Sequence, residues 1–329
     1  MDSIGRLNTD DRNSLFADTA EQMQMQPAII EKDFWVCWVL DALFSSPQWR
    51  DKMIFKGGTS LSKAFHIINR FSEDIDLILD WRQLGVTDNE PWETRSNSGQ
   101  DKFCKGINSK AADYLAKVFV PSFSSELESK LGYAIPITAN DEEVLVEYPK
   151  AFNLGYLRPV IVLEIGPLAE WIPHAPFDIT PYAAEKHPEL FARKSASVMT
   201  ILPERTFWEK ATILHKLANQ GRIPVRHSRH YYDLALMAQS DIKNTALGKI
   251  DLLHEVIAFK QRFYRSPKAQ YEKAVPGSLR LLPDQNLMKD LTDDYRRSKE
   301  MIFGIPPSFE SIIETLMALE SEINQIGKG

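Results

Sequence analysis

Asp74 and Asp76 stand two residues apart in a segment, Asp74 to Leu79, that opens by alternating carboxylate with aliphatic. Alternation at period two predicts a strand with two unlike faces, so both acids share one face with Cα atoms about 7 Å apart. Placed this way they form a half-cage for a divalent cation bound through oxygen. At an effective dielectric of about 20, two like charges about 4 Å apart repel by roughly 4 kcal/mol, and a bound Mg²⁺ removes that repulsion. Glu164 is the candidate for a third carboxylate. It is the lone acid in Val160-Ile161-Val162-Leu163-Glu164-Ile165, where it would face an apolar layer unless something pairs with it, and a neighbouring strand would bring it beside the other two.

Ahead of the acids, Gly57-Gly58-Thr59-Ser60 follows the short apolar run Met53-Ile54-Phe55. Paired glycines let backbone approach a phosphate closely, and the N-terminus of a following helix offers free N–H groups and a favourable dipole. Ser60 adds a hydroxyl, and Thr59 or Ser60 is expected to cap a helix over Leu61 to Ile68. Lys210 projects within an apolar stripe of Phe207, Ala211, Leu214 and Leu217, where it either snorkels or meets an anion. Asp233 lies in Tyr231 to Ala238, apolar nearly all round a helix, so burial requires a partner, with Lys210 or Arg229 as candidates.

These residues need elements to position them. Pro27 to Phe44 reads as an opening helix and Met53 to Phe55 as a strand, followed by a glycine turn and helix and then the acidic strand. Trp81 to Lys102 reads as a long polar loop, with a helix over Ala111 to Phe119 and strands over Val144 to Val146 and Val160 to Ile165. From Pro203 the pattern is helical through Phe207 to Leu217, Tyr231 to Ala238, Leu252 to Phe263 and Phe309 to Ile323. The expected architecture is α+β, with a domain boundary near residue 200 separating 1–200 from a helical 201–329. At 329 residues the chain exceeds the usual size of one core, and 43% hydrophobic with 26% charged residues is an ordinary globular balance.

A net charge of −6 argues against coating nucleic acid nonspecifically but leaves local recognition open. Cations cluster at Arg222, Arg226, His227, Arg229 and His230, and again at Lys260, Arg262, Arg265 and Lys268, with Tyr231, Phe263 and Tyr264 among them as stacking or core residues. Two cysteines, Cys37 and Cys104, are too few for a disulfide framework, and no early segment reads as a leader or membrane span, so a reducing cytoplasm is expected.

Several stretches together resemble the AbiEii/AbiGii nucleotidyltransferase toxins, related to the MenT toxins, within the polymerase β nucleotidyltransferase superfamily. They are Glu31-Lys32-Asp33-Phe34-Trp35, Phe55 to Ala64, Arg70-Phe71-Ser72-Glu73-Asp74-Ile75-Asp76-Leu77 and, more loosely, Glu164, Lys210, Arg229 to Leu234 and Ser278 to Pro283. The resemblance implies a mixed sheet with flanking helices, followed by a helical domain completing the active site. It gives Gly57, Gly58, Thr59 and Ser60 to the triphosphate, Asp74 and Asp76 to Mg²⁺, Glu164 to the site as ligand or base, and Lys210 and Asp233 to the nucleotide. It further implies an NTP substrate, transfer of NMP to an RNA acceptor at the 3′ end of tRNA, and a cognate antitoxin. A protein or small-molecule acceptor, or a non-catalytic nucleotide-binding module, are the alternatives.

Overall fold

The computed structural model describes residues 1–155 and 157–326. It divides into two compact units, Met1–Ala64 with Ser72–Ile201, and Phe65–Phe71 with the chain from Leu202 onward.

The first unit begins with helices α1 (Asp2–Gly5), α2 (Thr9–Met23) and α3 (Pro27–Ser45). Proline at the first position of α3 suits a turn whose N–H would be unpaired anyway. Every residue from Ala28 to Phe44 is buried, the charged Glu31, Lys32, Asp33 and Asp41 among them. Strand β1 (Met53–Lys56) runs into α4 (Gly57–Lys63), and β2 (Asp74–Leu79) follows. The remaining elements are α5 (Asn97–Tyr114), α6 (Val120–Leu131), β3 (Ile137–Asn140), β4 (Glu143–Val146), β5 (Ile161–Gly166), β6 (His174–Ile179), α7 (Tyr182–Lys186) and β7 (Ala196–Ile201).

The strands form one seven-stranded sheet in the order β3-β4-β5-β2-β1-β7-β6. It is mixed: β2 runs parallel to β5 and antiparallel to β1, while β1 runs parallel to β7. One face carries Ile75, Leu77 and Leu79 into a core shared with α3 and the Trp35, Trp38 and Trp49 side chains. Full burial of an aliphatic side chain contributes about 1.5–3 kcal/mol, so this face fixes which side of β2 looks inward. Asp74, Asp76 and Ile78 therefore point to the other face, where Ile78 joins Ile54 and Ile201 in a smaller apolar cluster.

The glycine-turn helix differs from expectation. It starts at Gly57 and ends at Lys63, with Lys56 as its N-cap and no side-chain cap bond, where capping by Thr59 or Ser60 and continuation to Ile68 were expected. Both hydroxyls bond elsewhere, and residues from Phe65 belong to the second unit. The polar stretch after Trp81 is also more ordered than expected, because Ser96 accepts a bond from the Gly99 N–H and starts a helix at Asn97 that continues through a π turn into α6.

The second unit is helical: α8 (Pro203–Gln220), α9 (Ser228–Ala238), α10 (Ile242–Leu247), α11 (Ile250–Phe263), α12 (Met288–Ser298) and α13 (Phe309–Ile326). Segment Phe65–Phe71 joins it through backbone bonds from Phe71 N–H to Met301 O and from Phe303 N–H to Asn69 O. Among the described residues no helix is long and apolar enough to cross a membrane.

Candidate active site

Gly57 has φ +83, a left-handed conformation that a side chain disfavours. A Cβ built there would lie 1.9 Å from Asp76 Oδ2 and 2.6 Å from its Cγ. The Asp76 carboxylate thus occupies the space a larger residue would take, and glycine is required twice over. Thr59, fully buried, donates its hydroxyl to Asp74 O at 2.6 Å and to Ser72 O at 3.3 Å, tying α4 to the start of β2. Ser60 is buried with its hydroxyl donated to Gly57 O at 2.8 Å. The first turn of α4 keeps its amides free of any side-chain cap among the described residues, which suits an anion.

Strand register brings the acids together. Asp76 is paired directly with Glu164 across the parallel β2–β5 ladder, and Asp74 with Val162, so Asp74, Asp76 and Glu164 lie on one face. The sequence context placed Glu164 against an apolar layer unless something pairs with it. Glu164 is exposed while Val162, Leu163 and Ile165 are buried. The same row continues to Lys56 on β1 and to Glu143 on β4, which the sequence reading had not singled out. Glu143 sits 3.5 Å from the Arg158 guanidinium.

Asp74 is half-buried, and its Oδ1 is a buried oxygen with no hydrogen-bond partner among the described residues. Burial pushes its carboxyl above the usual carboxylate range, and the neighbouring Glu73 and Asp76 charges add to the rise, against Lys32. A cation at this oxygen would relieve both effects. Among the described residues no three His, Cys, Asp or Glu side chains converge closely enough to enclose an ion. An open half-site still fits Mg²⁺, which is commonly held by one or two carboxylates and completed by water and substrate phosphates.

The motif residues beside these acids form buried ion pairs that gave no separate signal in the sequence. Lys32 Nζ lies 2.8 Å from Glu73, and Lys63 Nζ lies 2.8 Å from Asp33 and 3.9 Å from the Tyr182 ring centroid. Glu31 accepts the N–H groups of Ala151 and Phe152.

In the second unit, Lys210 is buried and does not snorkel. Its Nζ donates to Asp233 Oδ2 at 2.7 Å, and Arg70 grips the same carboxylate with Nε at 2.7 Å and Nη2 at 2.8 Å. Asp233 is therefore paired, as its apolar surroundings required, by Lys210 and by an arginine that helix spacing could not reveal. Burial pushes its carboxyl up, but Arg70 and Lys210 outweigh that and hold it below the usual range.

The two basic clusters fare differently. Arg222 and Arg226 are exposed, and Asp294 on α12 accepts the N–H groups of Arg226 at 2.7 Å and Ser228 at 2.8 Å, pinning this turn to α12. That helix adds the exposed Arg296 and Arg297, which the sequence reading had passed over. In the second cluster Lys260 donates to Glu209 O and Thr212 Oγ1, while Arg265 and Lys268 are exposed. Of the aromatic candidates, Tyr231 and Phe263 are core residues and Tyr264 is half-exposed.

A glycine turn leading into a helix and a strand presenting two acids on one face of a mixed sheet are features of the nucleotidyltransferases. The sequence model of one family, "Nucleotidyl transferase AbiEii toxin, Type IV TA system", matches residues 38–315. The chain belongs to this family of nucleotidyltransferase toxins from type IV toxin–antitoxin systems. Among solved structures it is similar to MenT4, a nucleotidyltransferase toxin from Mycobacterium tuberculosis H37Rv, at 15% identity and a TM-score of 0.45, covering 93% of this chain and 98% of that one. No curated protein matches the chain significantly.

Proposed function

We propose that this toxin is an Mg²⁺-dependent enzyme that transfers NMP from an NTP to the 3′ end of an RNA, tRNA in particular. The observation that carries the metal reading is the unpartnered Asp74 oxygen on the face shared with Asp76 and Glu164. When bound, Mg²⁺ supplies charge neutralisation for the triphosphate and polarises phosphoryl oxygen. Asp74 and Asp76 hold it, Gly57 admits the Asp76 carboxylate against the chain, and Glu164 acts from the same face as ligand or base. Gly57, Gly58 and the first turn of α4 receive the phosphates, with Ser60 available if its hydroxyl turns from Gly57 O. Lys210 and Asp233 are assigned to nucleotide binding on the resemblance. The acceptor hydroxyl attacks the α-phosphorus and pyrophosphate leaves, a reaction that positioning and charge stabilisation can drive without a protein nucleophile.

An RNA acceptor is supported by the exposed cations of the helical unit, Arg222, Arg226, Arg296, Arg297, Arg265 and Lys268, together with Tyr264 as a stacking surface. The test is to incubate the protein and its Asp76→Asn variant with Mg²⁺, labelled nucleotides and deproteinised tRNA. Label at the RNA 3′ end with wild type and none with the variant is the expected result. Label on protein alone would overturn the RNA acceptor, and a fully active, folded Asp76→Asn would overturn the site. RNA binding should weaken with salt at a slope of about −0.7 in log K against log salt per neutralised phosphate of a single strand.

A further inference from the structure

Glu73 is a third acid directly ahead of Asp74, buried to 3% exposure. Its charge acts on Asp74, and a buried carboxylate needs partners of its own. Its contacts supply them. Glu73 Oε2 accepts from Lys32 Nζ at 2.8 Å and from the Arg158 N–H at 3.0 Å, and Lys32 Nζ also donates to Arg158 O at 2.8 Å. These three bonds close a ring among α3, the residue preceding β2 and the residues leading into β5.

The location of the ring matters because β2 and β5 are parallel neighbours far apart in sequence. No hairpin turn fixes their register, and a slip of one residue would send every side chain of one strand to the opposite face. Glu164 would then leave the face of Asp74 and Asp76. The ring holds the two strand entries together at the end where Asp74 pairs with Val162. Lys32 is fully buried, so its charge has little solvent to turn to and stays committed to these partners.

We infer that Lys32 and Glu73 form a register latch between β2 and β5, making them positioning residues for the divalent-cation half-site of Asp74, Asp76 and Glu164. The inference rests on the proposal that Asp74 and Asp76 hold the cation, with Glu164 reaching it from the same face as a ligand. A positioning role separates from a merely structural one through a comparison within α3: Asp33 makes another buried ion pair, with Lys63, that does not join the two strand entries.

The experiment measures Mn²⁺ uptake by electron paramagnetic resonance without nucleotide, alongside circular dichroism and thermal melting. Lys32→Met and Glu73→Gln are expected to keep their secondary structure and bind Mn²⁺ at least tenfold more weakly, whereas Lys32→Arg, which retains a cation and several donors, restores affinity to within about threefold. Asp33→Asn should lower the melting temperature and leave Mn²⁺ affinity unchanged. Should Lys32→Met fail to fold, the near-isosteric Glu73→Gln decides. Wild-type affinity in folded Glu73→Gln, or equal weakening by Asp33→Asn, overturns the latch. If wild type and Asp76→Asn take up Mn²⁺ equally, the metal reading fails and takes the latch with it. Uptake lost in Asp76→Asn but unaltered in the latch variants sinks the latch alone.

Discussion

Gly57 concentrates two demands in one residue. Alanine there would carry a left-handed backbone penalty of about 1–2 kcal/mol, and its Cβ would meet the Asp76 carboxylate, which would have to move. Gly57→Ala is therefore expected to remain folded, with a modestly lowered melting temperature, and to lose nucleotidyl transfer by more than about a hundredfold, the order seen when a transition-state contact is removed. Near wild-type turnover would show that Asp76 is not needed where it now lies. Glu164 makes the opposite case, because an exposed acid contributes little to the fold. Glu164→Gln should change stability by less than about 0.5 kcal/mol and lower activity even at saturating Mg²⁺, and a fully active variant would remove Glu164 from the reaction. The acid pair was legible in the sequence because period two is a local pattern. Lys32–Glu73 and Arg70–Asp233 were not, since their partners lie 41 and 163 positions apart and only the fold brings them together.

Among the elements, α8 and α9 depend on the Arg70–Asp233–Lys210 cluster. Removing one member of a buried ionic group strands the others, at a cost of about 3–5 kcal/mol. Asp233→Asn should thus destabilise the helical unit more than Lys210→Ala, since the first leaves two buried cations poorly paired and the second leaves Asp233 still gripped by Arg70. Chemical denaturation followed through Trp208, on α8, reads this order, and equal losses would mean that Lys210 and Arg70 do not share the carboxylate. The core helices and β2 were legible because their apolar positions repeat closely. The helical run from Asn97 was only half legible: α5 buries Gln100, Ile107 and Ala111, too sparse for a periodic signal, whereas Leu115, Phe119, Phe123, Leu127 and Leu131 recur every fourth residue. Its start depends on a local Ser96 cap that a glycine- and serine-rich stretch disguises as loop.

Across the whole molecule, the two units carry opposite responses to acid. In the helical unit, burial lowers the pKa of His215 and, joined by Lys210 and Arg229, that of His230. A histidine lowered on folding binds its proton more readily when unfolded, so stability is lost as pH falls below the ordinary value of about 6.5. Asp233 and Asp294 are held below the usual carboxylate range despite burial, by Arg70 and Lys210 in one case and by Ser228 and Arg226 in the other. Their stabilisation is present above the unfolded value of about 4 and disappears as pH falls towards the folded value. The sheet unit runs the other way. Burial raises the carboxyls of Glu31, Asp41, Asp74 and Glu142, which lose stability as pH climbs from about 4 through their folded values and regain it on acidification. The Met1 amine and Lys32, both lowered by burial, oppose them. Acid should therefore unfold the helical unit at a higher pH than the sheet unit. Of the seven tryptophans, Trp208 alone lies in the helical unit, so the fluorescence difference between wild type and Trp208→Phe isolates that unit while the variant reports the other. The Trp208 signal is expected to shift first as pH falls below about 6, and Asp233→Asn should remove part of the steepness near pH 4 because its side chain no longer titrates. Coincident transitions, or loss of the sheet unit first, would show that the buried histidines and Asp233 do not govern acid stability.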